Sequence, residues 1–349
     1  MTAADIRIVT PDCISKRARS RPGKFRSIPL LFVVVRFFSV HCQALEVLDI
    51  RPTVVHGSFV NSLAVDQLAS SSPFDPVGML SISGNTASGT LIRSDWVLTA
   101  AHVFGSGTGQ IDLASATFSI GGQPMTASYA VVNPNWNGDL GSGFDIALVK
   151  LAAPVTTIAP APFASAPAQL TGQSVTFVGF GQGGTGESGT IAGTGGVKRA
   201  GTNRLDIDGS VLGMSSSIFM ADFDDGSAPF NTFGTATPTD FESILAPGDS
   251  GGGAFMISDG NMILVGVNSF VASFSGSANS SYGNLAGFVG IQPHVDWIQS
   301  IAHAPEPGSI VLGVICAIAI WWMTDRRSSG NSANLPGADA LEHNRQMQS

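Results

Sequence analysis

The chain has 349 residues, of which 12% are charged and 42 are glycine, and its mean hydropathy is +0.26. A composition so poor in charge and so rich in glycine disfavours a helical bundle and favours a β-rich fold with many turns. Residues 45–304 carry six Lys/Arg against nineteen Asp/Glu, a net charge of −13. This balance argues against nucleic acid as a partner, because no basic stripe is present to neutralise phosphates.

The three cysteines lie at the two ends of the chain, as Cys13, Cys42 and Cys316. None falls in the acidic central region, so we expect that region to fold without disulfides and without a cysteine-based zinc or redox site. The sequence contains no phosphate loop and no dinucleotide fingerprint. We therefore predict neither a cofactor nor a metal.

The N-terminal 44 residues have the features of a processing segment. A basic stretch at residues 16–24 precedes an apolar run from Ile28 to Val40, which Arg36 interrupts. The run is followed by Cys42-Gln43-Ala44, with small residues at the two positions that a signal peptidase inspects. This pattern predicts a secretory signal over residues 1–44, with an uncleaved anchor as the alternative.

A second processing signal is predicted at residues 304–327. Pro305-Glu306-Pro307 precedes an apolar run at 309–323, which Arg326-Arg327 follows. This order resembles the PEP-CTERM sorting signal of Gram-negative bacteria. The resemblance implies a transmembrane segment at 309–323, cleavage by an exosortase, and a protein anchored at the cell envelope or released from it. A plain C-terminal anchor is the alternative, and residues 328–349 form a polar tail.

Short apolar runs, separated by Gly, Ser, Asn and Pro, fill the region between the two signals and predict an all-β fold. Residues 152–168 have four prolines and no charge, which is typical of an extended linker between two halves. The glycine-dense segment Gln182–Gly196 is predicted to be a loop. Near the end, His294–Ile301 has the apolar spacing of a short helix.

Three polar residues occur in contexts suited to nucleophilic catalysis. Ser250 lies within Gly248-Asp249-Ser250-Gly251-Gly252, His102 ends Leu98-Thr99-Ala100-Ala101-His102, and Asp145 opens an apolar run. Taken singly, each also has an ordinary interpretation: a turn serine, a packed core histidine and a strand-end cap. A buried carboxylate needs a partner, however, and an imidazole N–H is a suitable one.

In the order His, Asp, Ser, these motifs resemble those of the chymotrypsin-like serine proteases, and the resemblance extends from about Gly78 to Ile301. It implies a protease domain over residues 45–303, composed of two six-stranded antiparallel β-barrels and a short C-terminal helix. Barrel one would span about 54–151 and barrel two about 169–303. The active site would lie between them.

The resemblance also implies the roles of the site residues. Ser250 would be the nucleophile, His102 the general base, and Asp145 the group that orients the imidazole. The backbone N–H groups of Gly248 and Ser250 would form the oxyanion hole.

The specificity pocket implied by the resemblance is apolar. Ile244 would lie at its base, Ser269 and Val271 on one wall, and Gly287 on the opposite wall. Because Ile244 offers no counter-ion and Val271 narrows the pocket, we expect cleavage after small or medium apolar residues.

In animal relatives, a freed amino terminus pairs with the aspartate that precedes the nucleophile. The corresponding pair here would be Val54 and Asp249.

The main hypothesis is therefore an exported serine endopeptidase that acts on a polypeptide substrate. A non-catalytic surface-binding module on the same fold is the second hypothesis. An esterase with the same nucleophile is a third, and it is disfavoured because the Gly-x-Ser-x-Gly elbow of such enzymes needs a parallel sheet.

Overall fold

A computed structural model describes residues 7–9, 45–47, 67–113, 115–163, 169–233, 237–274 and 276–302. The strands are β1 (Arg7–Val9), β2 (Leu45–Val47), β3 (Val77–Ile82), β4 (Asn85–Arg93), β5 (Trp96–Thr99), β6 (Gly109–Asp112), β7 (Thr117–Ile120), β8 (Gln123–Val132), β9 (Ala147–Leu151), β10 (Ser174–Gly179), β11 (Gly183–Thr185), β12 (Gly189–Thr190), β13 (Arg199–Arg204), β14 (Ile207–Asp208), β15 (Ile218–Asp222), β16 (Gly253–Ser258), β17 (Asn261–Ser273) and β18 (Asn284–Gly290). The helix α1 spans Val295–Ala302, close to its predicted position.

The first half of the described chain contains a closed antiparallel barrel. The strands β3, β4, β5, β9, β8 and β7 pair in that order, β7 returns to β3, and β6 pairs with the Tyr129–Val132 end of β8. The barrel encloses fully buried side chains such as Leu80, Leu91 and Phe118. A closed barrel removes the free edges that an open sheet would present. The predicted six-stranded first barrel is therefore present.

The second half is a larger antiparallel sheet with the strand order β13-β10-β16-β17-β18-β15-β14. Its core contains Val175, Phe177 and Phe288, together with aliphatic side chains of β16 and β17. Strand β1 pairs with the Val271–Ser273 end of β17. Within the described residues the strand ladders do not close this sheet, so a second six-stranded barrel stays a prediction.

The glycine-dense segment Gln182–Gly196 was predicted to be a loop, and this is only partly right. It contains a small hairpin formed by β11 and β12, and β2 pairs in parallel with β11. Gly189 has φ 72°, a conformation that glycine adopts at little cost, and this allows the chain to reverse within a few residues. The predicted linker at 152–168 has no strand in its described part, 152–163.

Several predicted segments lie outside the described ranges. They include residues 10–44 of the predicted signal, the apolar run at 309–323 and the polar tail at 328–349. Within the described ranges, no helix combines the length and the apolar character needed to cross a membrane.

Candidate active site

His102 follows β5, whose four residues are all buried in the first barrel. The fully buried Ala100 and Ala101 come next, and a short 3-10 helix begins at Ala101. Small side chains at these two positions leave room beside the imidazole, which is itself only 3% exposed. The barrel therefore fixes the position of His102 from its N-terminal side.

The structure brings the three sequence-predicted side chains into one hydrogen-bonded chain. His102 Nδ1 lies 2.7 Å from Asp145 Oδ2, and His102 Nε2 lies 2.8 Å from Ser250 Oγ. Because a carboxylate accepts hydrogen bonds, Nδ1 carries the proton and Nε2 is left as an acceptor for the serine hydroxyl. All three side chains are buried.

Asp145 is fully buried two residues before β9, and its carboxylate accepts three hydrogen bonds. Besides the imidazole, it accepts the backbone N–H of His102 at 2.7 Å and the hydroxyl of Ser269 at 2.5 Å. These bonds compensate the loss of hydration that burial imposes on a carboxylate. Ser269, predicted to line the pocket, is thus also a direct partner of Asp145.

His294, to which no role was assigned from the sequence, holds the loop before Asp145. His294 Nε2 donates to the Gly143 carbonyl at 2.9 Å, and its ring packs edge-on against Phe144 with centroids 5.7 Å apart. Burial lowers the pKa of His294, so the ring is neutral at neutral pH with its proton on Nε2. Gly143 has φ 79°, and a side chain there would collide with Ser215 and Ser217.

Ser250 lies in a tight turn that contacts the first barrel. Gly248 and Gly251 have φ values of 96° and 85°, in the region that glycine tolerates best. Ser88 of β4 donates its N–H to the Ser250 carbonyl and its hydroxyl to the Gly248 carbonyl. A side chain at Gly251 would overlap Thr99 and Ser88. Gly251 donates its N–H to the Asn268 carbonyl of β17, so the turn is held from both halves of the chain.

The backbone N–H groups of Gly248 and Ser250 have no acceptor among the described residues. Two neighbouring N–H groups without protein partners can stabilise an oxygen that acquires negative charge. The chain thus leaves donors available beside Ser250.

Asp249 is buried behind this turn. Its Oδ1 accepts the N–H of Gly181 at 2.7 Å, and its Oδ2 accepts the N–H of Ala246 at 3.0 Å. Burial raises the pKa of Asp249 to about 6, while these two bonds and the charge of Arg199 act in the opposite direction. Val54, its predicted partner, lies outside the described residues.

A cavity of about 30 Å³ opens beside Ser250. Ser269, Val271, Ala278 and Ser280 contribute to its lining. Ile244 is buried in the same hydrophobic cluster as Val271 but is not among the residues that line the cavity, so its place at the pocket base stays a prediction. Of the residues predicted for the pocket, Ser269 and Val271 line this cavity, as do Ala278 and Ser280.

Gly287 is not among the residues that line this cavity, so its place on the wall of the specificity pocket stays a prediction. A side chain at Gly287 would point into the ring of Phe270, whereas the neighbouring Ala286 belongs to the cluster around Val271. The reason is the alternation of side chains along β18, which sends neighbouring residues to opposite faces. Among the described residues, no group of three His, Cys, Asp or Glu side chains is placed to hold a metal.

Comparison with known proteins agrees with this geometry. The sequence is 29% identical to chymotrypsin-like elastase family member 1 of Homo sapiens over 227 residues, which are 62% of this chain and 81% of the relative. The protein of the same name from Canis lupus familiaris is 43% identical over 77 residues, 21% of this chain and 30% of the relative. The trypsin family profile matches residues 69–298. The chain therefore belongs to the trypsin family and is a serine-type endopeptidase.

Proposed function

We propose that the chain is an exported serine endopeptidase in which Ser250, His102 and Asp145 carry out peptide hydrolysis through an acyl-enzyme. The observation that supports this proposal is the continuous hydrogen-bonded chain from Asp145 through His102 to Ser250, with contacts of 2.7 and 2.8 Å. These are distances at which a proton passes directly between groups.

In the first step, Ser250 Oγ attacks the scissile carbonyl while its proton passes to His102 Nε2. The imidazolium that forms is stabilised by Asp145, which stays ionised and keeps the proton on Nδ1. His102 then donates the proton from Nε2 to the leaving amine, and the acyl-enzyme remains. Water enters, gives its proton to His102, and releases the acid by the same steps in reverse.

The N–H groups of Gly248 and Ser250 would bind the oxyanion of each tetrahedral intermediate. Removing one such donor in an enzyme of this type costs about 3–4 kcal/mol of transition-state stabilisation. Their lack of acceptors among the described residues supports this role.

We propose that this enzyme cleaves after small or medium apolar residues. The cavity beside Ser250 has a volume of about 30 Å³ and is lined by Val271, Ala278 and Ser280 without a charged side chain. A volume of this size suits a short aliphatic side chain and leaves no counter-ion for Arg, Lys, Asp or Glu.

Export and membrane attachment rest on the sequence signals at the two ends. We propose that a signal peptidase cleaves near Ala44 and that residues 304–327 direct sorting by an exosortase-type enzyme. The strong acidity of residues 45–304 suits a protein that is soluble outside the cytoplasm. The protease domain would then span 45–303 and work at the envelope of a Gram-negative bacterium, with its second half forming a barrel like the first.

Labelling with a fluorophosphonate probe tests the nucleophile. We expect the wild-type protein to be labelled and Ser250→Ala to remain unlabelled, while Ser106→Ala, which changes an exposed serine, labels like wild type. Equal labelling of wild type and Ser250→Ala would overturn the assignment of Ser250. No labelling of native wild type would favour the non-catalytic surface-binding module.

A further inference from the structure

Asp249 directly precedes the proposed nucleophile in the Gly248–Ser250 turn, and its carboxylate accepts the N–H groups of Gly181 and Ala246. It is enclosed by Gly179 and Gly181, where any side chain would overlap the carboxyl group. A carboxylate buried in this way needs donors and a positive charge to remain ionised. The Gly181 and Ala246 N–H groups are donors, but they carry no net charge.

Arg199 is linked to Asp249 through Gly181. Its Nη1 donates to the Gly181 carbonyl at 2.8 Å, and its Nη2 donates to the Thr194 carbonyl at 2.9 Å. Gly181 is thus bound on both sides, by Arg199 through its carbonyl and by Asp249 through its N–H. Arg199 itself is the first residue of β13, paired with Gly179 of β10, so its backbone is fixed by the sheet.

The charge of Arg199 also favours the ionised form of Asp249. Burial raises the pKa of the Asp249 carboxyl to about 6, and the attraction of Arg199 is among the contributions that oppose this rise. Ionised Asp249 accepts two N–H bonds, one at each oxygen. A protonated carboxyl would lose part of this acceptor capacity, so the cation helps to maintain the turn.

We propose that Arg199 is a positioning residue that holds Asp249, and with it the Gly248–Ser250 turn, in the competent conformation without a freed amino terminus. The inference rests on the proposed function, because it concerns the same nucleophile. Arg199 would thus do for Asp249 what the family resemblance assigns to a freed amine at Val54. Cleavage before Val54 is then unnecessary for activity.

The test compares three variants of the full chain by the rate of fluorophosphonate labelling and by kcat and KM for a short apolar peptide substrate. We expect Arg199→Met to label at least tenfold more slowly. In peptide hydrolysis its loss should be in kcat rather than in KM. Arg199→Lys should recover part of both losses. Arg204→Met is the matched control: Arg204 lies on the same strand and donates to the Gly172 carbonyl, away from Asp249. It should label like wild type.

The pH profile separates positioning by charge from general damage to the fold. Without the guanidinium, Asp249 takes up a proton at higher pH, so the acid limb of kcat should move to higher pH in Arg199→Met. Wild-type labelling and an unmoved acid limb in Arg199→Met would overturn the inference. A rate for Arg199→Lys no better than for Arg199→Met would overturn it too.

Mass spectrometry of the labelled wild-type protein addresses the amino terminus directly. We expect label on molecules that begin upstream of Val54, and label only on molecules that begin at Val54 would overturn the inference. If wild type labels and Arg199→Met labels equally well, this inference fails and the proposed function stands. If wild type does not label in any form, both fail.

Discussion

Asp145 binds His102 at two points: Oδ1 accepts the backbone N–H and Oδ2 accepts the ring Nδ1–H, both at 2.7 Å. The first bond fixes the main chain at the histidine, and the second fixes the tautomer and orientation of its ring. Because the two residues are 43 positions apart, this double contact also ties the segment that follows β5 to the segment that precedes β9.

Replacing Asp145 by Asn should separate these two effects. The amide oxygen can still accept one N–H, but its NH₂ group cannot accept the second, so the imidazole turns to the tautomer with Nε2 protonated. We expect kcat to fall by about 10⁴-fold, as in related triads. Steady-state kinetics measure this loss, and an unchanged circular dichroism spectrum would show that the fold is retained. A kcat near the wild-type value would contradict the role given to Asp145.

Shortening Val271 should widen the proposed specificity pocket. Val271 is 7% exposed and lines the cavity of about 30 Å³ beside Ser250. In Val271→Ala, substrates with Leu or Phe before the scissile bond should become better relative to those with Ala there. We expect the ratio of the two kcat/KM values, Leu or Phe over Ala, to rise roughly tenfold. A peptide panel measures the ratio. Val211→Ala, at an exposed position, is the control and should leave it unchanged.

His294 should matter for activity although it lies outside the hydrogen-bonded chain. His294→Phe keeps a ring beside Phe144 but leaves the Gly143 carbonyl without its donor, which costs about 1–3 kcal/mol of stability. Because Gly143 is two residues before Asp145, we expect kcat to fall more than KM changes. Chemical denaturation and steady-state kinetics measure the two effects.

His294→Gln is the matched variant, since its amide can still donate to the Gly143 carbonyl. It should recover part of both losses. Full activity in His294→Phe would show that the loop before Asp145 is held by its other contacts.

Asp222 should make the protein less stable as pH rises. Burial, with the nearby Asp206 and Asp224, raises the pKa of Asp222 to about 7. The folded chain therefore retains a proton that the unfolded chain has lost between about pH 4 and pH 7, and the free energy of unfolding falls across that range. Asp222→Asn removes this dependence while its amide oxygen can still accept the Thr232 and Phe233 N–H groups.

We expect Asp222→Asn to gain melting temperature relative to wild type as the pH is raised from 5 to 8. Thermal unfolding at several pH values measures the difference. Asp259→Asn makes the same change of charge at an exposed turn and should show no such trend. A constant difference between Asp222→Asn and wild type would argue against titration of Asp222 in this range.

The face of β18 that meets the cavity could not be deduced from sequence. Strand β17 has an irregularity in its register between Asn268 and Phe270, after which Phe270 pairs with Gly287. A shift of one residue in register exchanges the two faces of a strand. For this reason Gly287 faces Phe270, a residue that itself lines the cavity, and its predicted place on the pocket wall stays a prediction.

Arg199, His294 and Ser88 could not be identified from the sequence for a related reason. Each acts on a backbone carbonyl far along the chain: Arg199 on Gly181, His294 on Gly143, and Ser88 on Gly248. A backbone carbonyl can accept a hydrogen bond whatever the type of its residue, so the sequence does not show which residue accepts. The donor and acceptor residues are also separated by up to 160 positions. Such contacts become visible only when the chain has folded.

The sequence by itself predicted the β-rich class, the first barrel and the terminal helix, and it singled out His102, Asp145 and Ser250 as candidate catalytic residues, because these depend on residue type and on short-range pattern. The tertiary structure decided how these side chains meet, which residues line the cavity, and what surrounds Asp249. Those features depend on strand register and on contacts between distant backbone groups. Local pattern specifies the elements, whereas the packing of one sheet against the other specifies the site.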